Sequence, residues 1–354
     1  MCAVLEPVDS GGDTSAAHGF ALSMWPENKH GIIQRSYALD VGLTDLDLKT
    51  AQRDGEIVCL GSGGYVRTER LPEYDVDVEL YRLASIAAAD RQSLALSHES
   101  AAALHGLALL KPDHSVVHFA RPGTSGGRQS AKRHIHVGLS DDDVVRVDGF
   151  AVSSLAKTAV DVAAKSDFAR ALAVLDSALR AGVALEELEE TAERQRIRGI
   201  ATVRSVLRYA NGLAANPGES WSRAQMINAR LPVAVLQRRY VLFDGSNAFP
   251  HFDWDGKVLG EFDGLRKYGR DLKPGQSVED ALEREKLREI ALRDLVDEIV
   301  RWIWDDLENN RMVPRVARAL REEDFGRVRF IDAARVLTGS RGGWFADPDK
   351  SGAA

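Results

Sequence analysis

The chain has 354 residues, of which 44% are hydrophobic and 28% are charged, and this composition is typical of a globular protein with two or three domains. The net charge of −7 argues against a general nucleic-acid coat protein, and no apolar run reaches the length of a membrane span. The N-terminus lacks the basic segment and apolar core of a secretory signal. Cys2 and Cys59 fit no metal-ligand spacing, and two cysteines far apart in sequence are typical of a reducing compartment. We therefore expect a cytoplasmic protein without a membrane partner.

Residues 1–28 are rich in Gly, Ser, Asp and Ala, and we expect a disordered tail there. Residues 29–72 instead predict two helices followed by a hairpin. Thr44 is a suitable N-cap for the second helix, and Gly55 can end that helix. Gly61-Ser-Gly-Gly64 is a strong hairpin signal between two apolar, strand-like runs. Helices followed by a short hairpin describe a winged helix-turn-helix domain, whose second helix reads the DNA major groove.

The candidate DNA contacts lie on this second helix and on the hairpin. Lys and Arg side chains can contact phosphates or guanine, and Gln can pair with adenine. The candidates are Lys49, Thr50, Gln52, Arg53 and Arg67. Acidic residues surround them at Asp45, Asp47, Asp54 and Glu56. The alternative interpretation is therefore a protein-contact domain, or a winged helix without a DNA-binding role.

Residues 78–212 predict a mixed α/β domain in which helices dominate, including a long helical region over 155–181. His134 and His136 alternate on one face of a strand-like run, and both are candidate metal ligands. A third ligand has no obvious spacing, so the favoured interpretation is surface or packing histidines. A capped helix that packs Ala and Leu likewise explains His98 better than a catalytic role does.

Three segments, 55–67, 97–106 and 152–161, carry a resemblance to a known family. They read Gly-Glu-Ile-Val through Gly-Tyr-Val-Arg, then Ser-His-Glu-Ser-Ala-Ala-Ala-Leu-His-Gly, then Val-Ser-Ser-Leu-Ala-Lys-Thr-Ala-Val-Asp. In order and spacing, they resemble the AbiEi antitoxins of bacterial type IV toxin–antitoxin systems. The resemblance implies an N-terminal winged helix that binds an operator and a cognate toxin whose effect is neutralised. The family often carries Arg at the position of Lys157.

Acidic residues recur over residues 213–310 at the spacing that a metal-dependent nuclease core needs. Glu219 lies at the start of a predicted helix, Asp253 lies in a strand-like run, and Glu261 and Asp263 lie in the next run. Carboxylates that converge at one end of two paired strands can hold Mg²⁺, which prefers oxygen ligands. Taken singly, Glu219 is also explained as a helix first-turn charge, and Asp253 as a turn residue.

This region resembles the PD-(D/E)xK nuclease superfamily, especially the branch similar to very-short-patch repair endonucleases. The resemblance rests on four features: the Gly218-Glu-Ser helix start, Asp253, Gly260-Glu-Phe-Asp-Gly264, and a later strand that ends in Trp302-Ile-Trp304. It implies a restriction-endonuclease-like C-terminal domain that depends on Mg²⁺.

The same resemblance implies Glu219, Asp253 and Glu261 as catalytic residues, with Asp253 and Glu261 as metal ligands. The sequence departs from the superfamily at one position, because the lysine expected two residues after Glu261 is Asp263. Lys267 is therefore the candidate for the cationic catalytic role.

Residues 194–239 contain nine Arg, no Lys and one acid, which suits phosphate contact, unless these arginines pair with the acid-rich helices. Residues 311–354 predict a basic helical tail.

We predict a multidomain α/β (α+β) protein that regulates transcription by binding double-stranded DNA, with a cognate toxin as a second partner. The alternatives are a Mg²⁺-dependent DNA endonuclease and a nuclease-like domain used for contact only. The sequence does not indicate the oligomeric state.

Overall fold

The computed structural model of the protein describes residues 25–61, 63–264 and 277–322. Helices and mixed sheets build two compact units, which confirms the predicted mixed α/β, multidomain class. One unit comprises Met1–His105 and Asp113–Ser154, and the other comprises Gly106–Pro112 and Leu155–Ala354. Residues 1–24 of the predicted tail and residues 323–354 lie outside the described part of the chain. In the described ranges, no helix is both long and apolar enough to cross a membrane.

The first unit opens with the N-terminal segment, which we define as residues 32–67. Its elements are β1 Ile32–Gln34, α1 Arg35–Asp40, α2 Asp45–Arg53, β2 Ile57–Gly61 and β3 Gly64–Arg67. The strands form an antiparallel sheet in the order β1–β3–β2. Both helices cover this sheet because Ile33 and Ile57 are buried together with Ala38 of α1 and Leu48 of α2.

The rest of the first unit is a six-stranded mixed sheet with two helices. Its elements are α3 Val76–Ala89, β4 Ala95–Leu96, α4 His98–His105, β5 Val117–Arg121, β6 Arg128–Gln129, β7 Arg133–Val137, β8 Val144–Val147 and β9 Phe150–Ser153. The strand order is β6–β7–β5–β4–β9–β8. Leu96, Phe119 and Val152 from three neighbouring strands are fully buried, so the sheet packs its central strands into the core.

The second unit begins with a group of helices. These are α5 Leu155–Ala164, α6 Phe168–Arg180, α7 Leu185–Arg194, α8 Ile200–Leu207 and α9 Pro217–Asn228. The helical region predicted over 155–181 is divided into α5 and α6, because the carboxylate of Asp167 accepts a hydrogen bond from the backbone nitrogen of Arg170 and starts a new helix.

The second unit continues with a four-stranded sheet. Its elements are β10 Val235–Leu236, β11 Tyr240–Val241, β12 Asn247–Ala248, β13 Phe252–Trp254, β14 Val258–Asp263, α10 Val278–Arg293, β15 Glu298–Ile303, α11 Trp304–Glu308 and α12 Met312–Glu322. The strand order is β10–β13–β14–β15, with β13 and β14 antiparallel and β14 and β15 parallel, while β11 and β12 pair separately. Phe252, Phe262 and Trp302 lie on one face of this sheet and form its core.

Candidate functional site

The opposite face of the four-stranded sheet carries the acidic residues singled out from the sequence. Asp253 pairs with Leu259 across the β13–β14 ladder, so both side chains share one face. Side chains alternate along a strand, so Glu261 and Asp263 lie on that same face. We call this surface, with Asp253, Glu261 and Asp263, the carboxylate face. Asp253 and Glu261 are almost completely buried, with 0% and 2% exposure.

Glu219 is held at the first turn of α9 by a local cap. The side chain of Asn216 accepts hydrogen bonds from the backbone nitrogens of Gly218 and Glu219 at 2.9 and 3.0 Å. Glu219 in turn accepts hydrogen bonds from the backbone of Ala215 at 2.8 Å and from the Asn216 amide at 2.7 Å. Gly218 is required here, since a β-carbon would lie 2.2 Å from the ring of Phe262.

His251 lies between Glu219 and Glu261, and it was not among the site residues predicted from the sequence. The Nδ1 atom of His251 lies 2.9 Å from Oε2 of Glu261, and its Nε2 atom lies 3.5 Å from Oε1 of Glu219. The other oxygen of Glu261 accepts a hydrogen bond from the Arg288 guanidinium at 3.1 Å. Burial raises the pKa of Glu261, but His251 and Arg288 outweigh that effect and leave the pKa below its usual 4.5.

Asp253 has a different set of partners from Glu261. One of its oxygens accepts a hydrogen bond from the hydroxyl of Tyr240, and the other accepts one from the backbone nitrogen of Gly256 at 2.8 Å. The guanidinium of Arg238 lies 3.4 Å away. Burial and the hydrogen bond to Asp253 together raise the pKa of Tyr240, so the phenol stays protonated as a donor. Asp253 therefore supports the turn that joins β13 to β14.

Asp263, at the position where the superfamily carries lysine, is paired with an arginine. Arg301 of β15 donates to both carboxylate oxygens of Asp263, at 2.8 and 2.7 Å. The same guanidinium donates to Glu289 of α10 at 2.8 Å. Arg288 similarly joins Glu261 to Glu285, at 3.1 and 2.8 Å. The carboxylate face is thus filled by an ion-pair network that α10 and β15 supply.

These contacts decide how well Mg²⁺ fits the predicted ligands. One oxygen of Glu261 accepts a hydrogen bond from the Arg288 guanidinium, which cannot be a metal ligand, and the other oxygen lies 2.9 Å from Nδ1 of His251. Among the described residues, a group of three histidines brings its possible metal-ligating atoms within 4.8 Å of one another. Glu219, Asp253 and Glu261 do not form such a group. The carboxylates as arranged do not make an oxygen shell for Mg²⁺. Lys267 lies outside the described residues.

The predicted DNA contacts lie together on the N-terminal segment. Lys49, Gln52 and Arg53 are exposed on α2, and Thr50 is half-buried. Arg53 donates to its neighbour Asp54 at 3.0 Å. Arg67 on β3 is half-buried, and it lies 2.6 Å from Glu69 and 3.9 Å from Glu27. Arg53 and Arg67 are therefore partly neutralised by nearby acids, of which Asp54 lies within the segment and Glu27 and Glu69 lie just outside it.

One part of the chain matches a known protein family. Residues 94–209 match the family described as AbiEi antitoxin C-terminal domain. The match confirms the predicted AbiEi resemblance for residues 94–209, which contain the strands β4–β9 and the helices α4–α8. The N-terminal segment and the four-stranded sheet lie outside the AbiEi match.

Similar proteins are known from Mycobacterium tuberculosis. The uncharacterized proteins MT2308 and Rv2248, from strains CDC 1551 and H37Rv, are each 34% identical to this chain over 180 residues. The match spans 49% of this chain and 64% of the length of each relative. The crystal structure of the RV2827C protein from the same organism aligns at 15% identity with a TM-score of 0.34, and covers 63% of this chain and 82% of that one.

Proposed function

We propose that the protein is a DNA-binding transcriptional regulator of the AbiEi antitoxin kind, which acts beside a cognate toxin. The AbiEi match over residues 94–209 carries the proposal. The order of elements before it, strand, two helices and a hairpin, is typical of a winged helix-turn-helix domain. In such a domain α2 enters the major groove, and the β2–β3 hairpin contacts phosphates.

The exposed residues of α2 suit this role. Lys49 and Arg53 are one helical turn apart, with Gln52 beside them, so all three are presented to the same partner. Lys49 and Arg53 contact phosphate or guanine, and Gln52 reads adenine. Arg67 exchanges its ion pair with the exposed Glu69 for a phosphate at small cost, because ion pairs near the surface contribute little to stability.

A band-shift assay tests this proposal on the promoter fragment upstream of the protein's own gene. We expect a discrete complex whose affinity falls steeply with salt. The double variant Lys49→Ala/Arg53→Ala removes two cations from α2, and we expect at least a tenfold loss of affinity. The matched control is Lys165→Ala/Arg170→Ala, which removes the same charge from exposed positions in the second unit. Equal affinities of the two double variants would contradict the assignment of α2.

The alternative proposal is a Mg²⁺-dependent DNA endonuclease with Glu219, Asp253 and Glu261 as catalytic residues and Lys267 as the cation. Two observations favour it. Residues 217–303 follow the order helix, strands, helix, strand, with a parallel last pair of strands, and Asp253 and Glu261 share the carboxylate face. The nitrogen groups around Glu261 oppose it, and they favour instead a nuclease-like domain used for contact only.

Plasmid nicking in Mg²⁺ or Mn²⁺ separates these alternatives. A nuclease loses cleavage in Glu261→Ala and keeps it in Glu283→Ala, which removes an exposed carboxylate from α10. A band shift without any nicking supports the regulator and a contact role for the second unit. Nicking that persists in Glu261→Ala excludes the proposed catalytic centre.

A further inference from the structure

Three histidines meet on one face of the six-stranded sheet. β5 and β7 run parallel in a register that sets His118 beside His134. His136 follows two residues later on β7, so it points to the same side as His134. The ligand nitrogens of His118, His134 and His136 all lie within 4.8 Å of one another. The sequence offered only the pair on β7, because the third histidine comes from another strand.

The imidazole rings of these histidines pack closely against one another. Nδ1 of His118 lies 2.9 Å from Nε2 of His136. The ring centroids of His134 and His136 are 3.8 Å apart, and His98 stacks on the other side of His136 at 3.7 Å. His118, His134 and His136 are half-buried, so a small ion can reach them from solvent while most of its shell comes from the protein.

A carboxylate lies beside His118 in this cluster. Oε2 of Glu99 on α4 lies 3.4 Å from Nε2 of His118, on the ring edge opposite to His136. A proton on Nε2 would face that carboxylate, and the lone pair of Nδ1 would then be directed toward His136. Metal-binding histidines are oriented by carboxylates in this way, since the carboxylate fixes the tautomer and raises the basicity of the ligand nitrogen.

We infer that His118, His134 and His136 bind one Zn²⁺ ion, with Glu99 as a positioning residue behind His118. Imidazole suits Zn²⁺ and its first-row neighbours better than Mg²⁺ or Ca²⁺. Zn–N distances of about 2.0–2.1 Å in a tetrahedral site place ligand nitrogens roughly 3.3 Å apart. The 2.9 Å separation between His118 and His136 therefore needs to open by only about 0.4 Å. The ion would tie β5 to β7 and leave a fourth position for water.

Metal analysis of the tag-free, full-length protein tests this site. We expect one Zn²⁺ per chain after dialysis against zinc and then metal-free buffer. Titration with Co²⁺ as a coloured probe should give the visible spectrum of a nitrogen-ligated, tetrahedral ion. His134→Ala should weaken Co²⁺ binding at least tenfold, and Glu99→Gln should weaken it less. His114→Ala is the matched control, because His114 stacks on Tyr81 in the same unit and is not one of the three clustered histidines.

Zn²⁺ protection of the wild-type histidines tests the same site without relying on a variant that folds. Diethyl pyrocarbonate should modify His118, His134 and His136 slowly in zinc and quickly in a chelator, as read by mass spectrometry. His114 should react at one rate in both. Equal modification of the cluster with and without zinc overturns the site and leaves a stacked packing cluster. Equal Co²⁺ affinity of the wild type and His134→Ala overturns it as well.

Discussion

At the scale of single residues, the carboxylate face is governed by charge compensation. Glu219 and Glu261 are both buried, and a buried carboxylate is costly unless a cation or hydrogen-bond donors compensate for its lost hydration. His251 lies between the two carboxylates, and Arg288 approaches Glu261 from α10. We therefore expect the contacts that Arg288 and His251 make with these carboxylates to stabilise the second unit, whether or not the face has a catalytic role.

Glu261→Gln tests this dependence through pH. The folded state holds the pKa of Glu261 below its usual 4.5, so the ionised carboxylate stabilises the fold fully above about pH 4.5. That contribution is lost as the pH falls through the folded pKa. We expect the variant to be less stable by about 2 kcal/mol at pH 7, and the difference to shrink below pH 4.5.

Tryptophan fluorescence during urea unfolding measures this difference, because Trp221, Trp254, Trp302 and Trp304 all belong to the second unit. Glu283→Gln, at an exposed position of α10, is the control and should match the wild type at each pH. A stability gap that stays constant from pH 7 to pH 3.5 would show that Glu261 acts through packing and not through its charge.

The buried acids of the candidate site were predicted from the sequence, but the residues that contact them were not. Glu219, Asp253 and Glu261 stood out because their spacing fits two paired strands. His251 alternates with Asp253 along the chain, which was the available signal for it. Arg288 and Arg301 could not be found, since only the packing of α10 and the register of β15 bring them to the carboxylate face. The catalytic role of Glu219, Asp253 and Glu261 is still a prediction.

At the scale of elements, local signals predicted the second helix and the hairpin of the N-terminal segment, while the strand β1 was not predicted. Thr44 caps α2 as expected, because its hydroxyl accepts from the backbone of Asp47 at 3.2 Å and the Asp47 carboxylate accepts from the backbone of Thr44 at 2.8 Å. The Gly-rich hairpin also lies where its sequence placed it, between β2 and β3. Two-residue strands such as β4 and β6 were missed, since a run that short has no detectable alternation.

Thr44→Ala tests how much the cap of α2 contributes. The variant loses an acceptor for the first turn of the helix, and we expect a loss of about 1 kcal/mol in the local stability of α2. Amide hydrogen exchange along Asp45–Arg53 measures it, with faster exchange at the first turn. Thr124→Ala, in the exposed loop after β5, is the control and should leave exchange in α2 unchanged. Unaltered exchange in Thr44→Ala would mean that packing of Leu48 and Ala51 alone holds the helix.

At the scale of the whole molecule, the AbiEi match and the compact units have different boundaries. The match begins in the first unit, continues through α8 of the second, and ends at residue 209. The second unit continues past that point, because α6 packs directly against α9. Asp176 on α6 is fully buried, and it accepts hydrogen bonds from Ser220 and Arg223 of α9 at 2.8 and 2.6 Å.

A chain truncated after residue 212 tests the domain boundary predicted from the sequence. The truncation removes α9, so Asp176 loses Ser220 and Arg223 and keeps only the backbone nitrogen of Asn211, at 2.7 Å. Burial already raises the pKa of Asp176, and stripping away a partner of a buried ion pair costs about 3–5 kcal/mol. That loss is comparable with the whole stability of many domains, so we expect α5–α8 to melt without cooperativity.

Circular dichroism against temperature measures the melting of the truncated chain, with a chain that ends at residue 322 as the control. A cooperative transition of the shorter chain at the control's temperature would mean that the helices preceding residue 212 form a complete domain, as the sequence predicted.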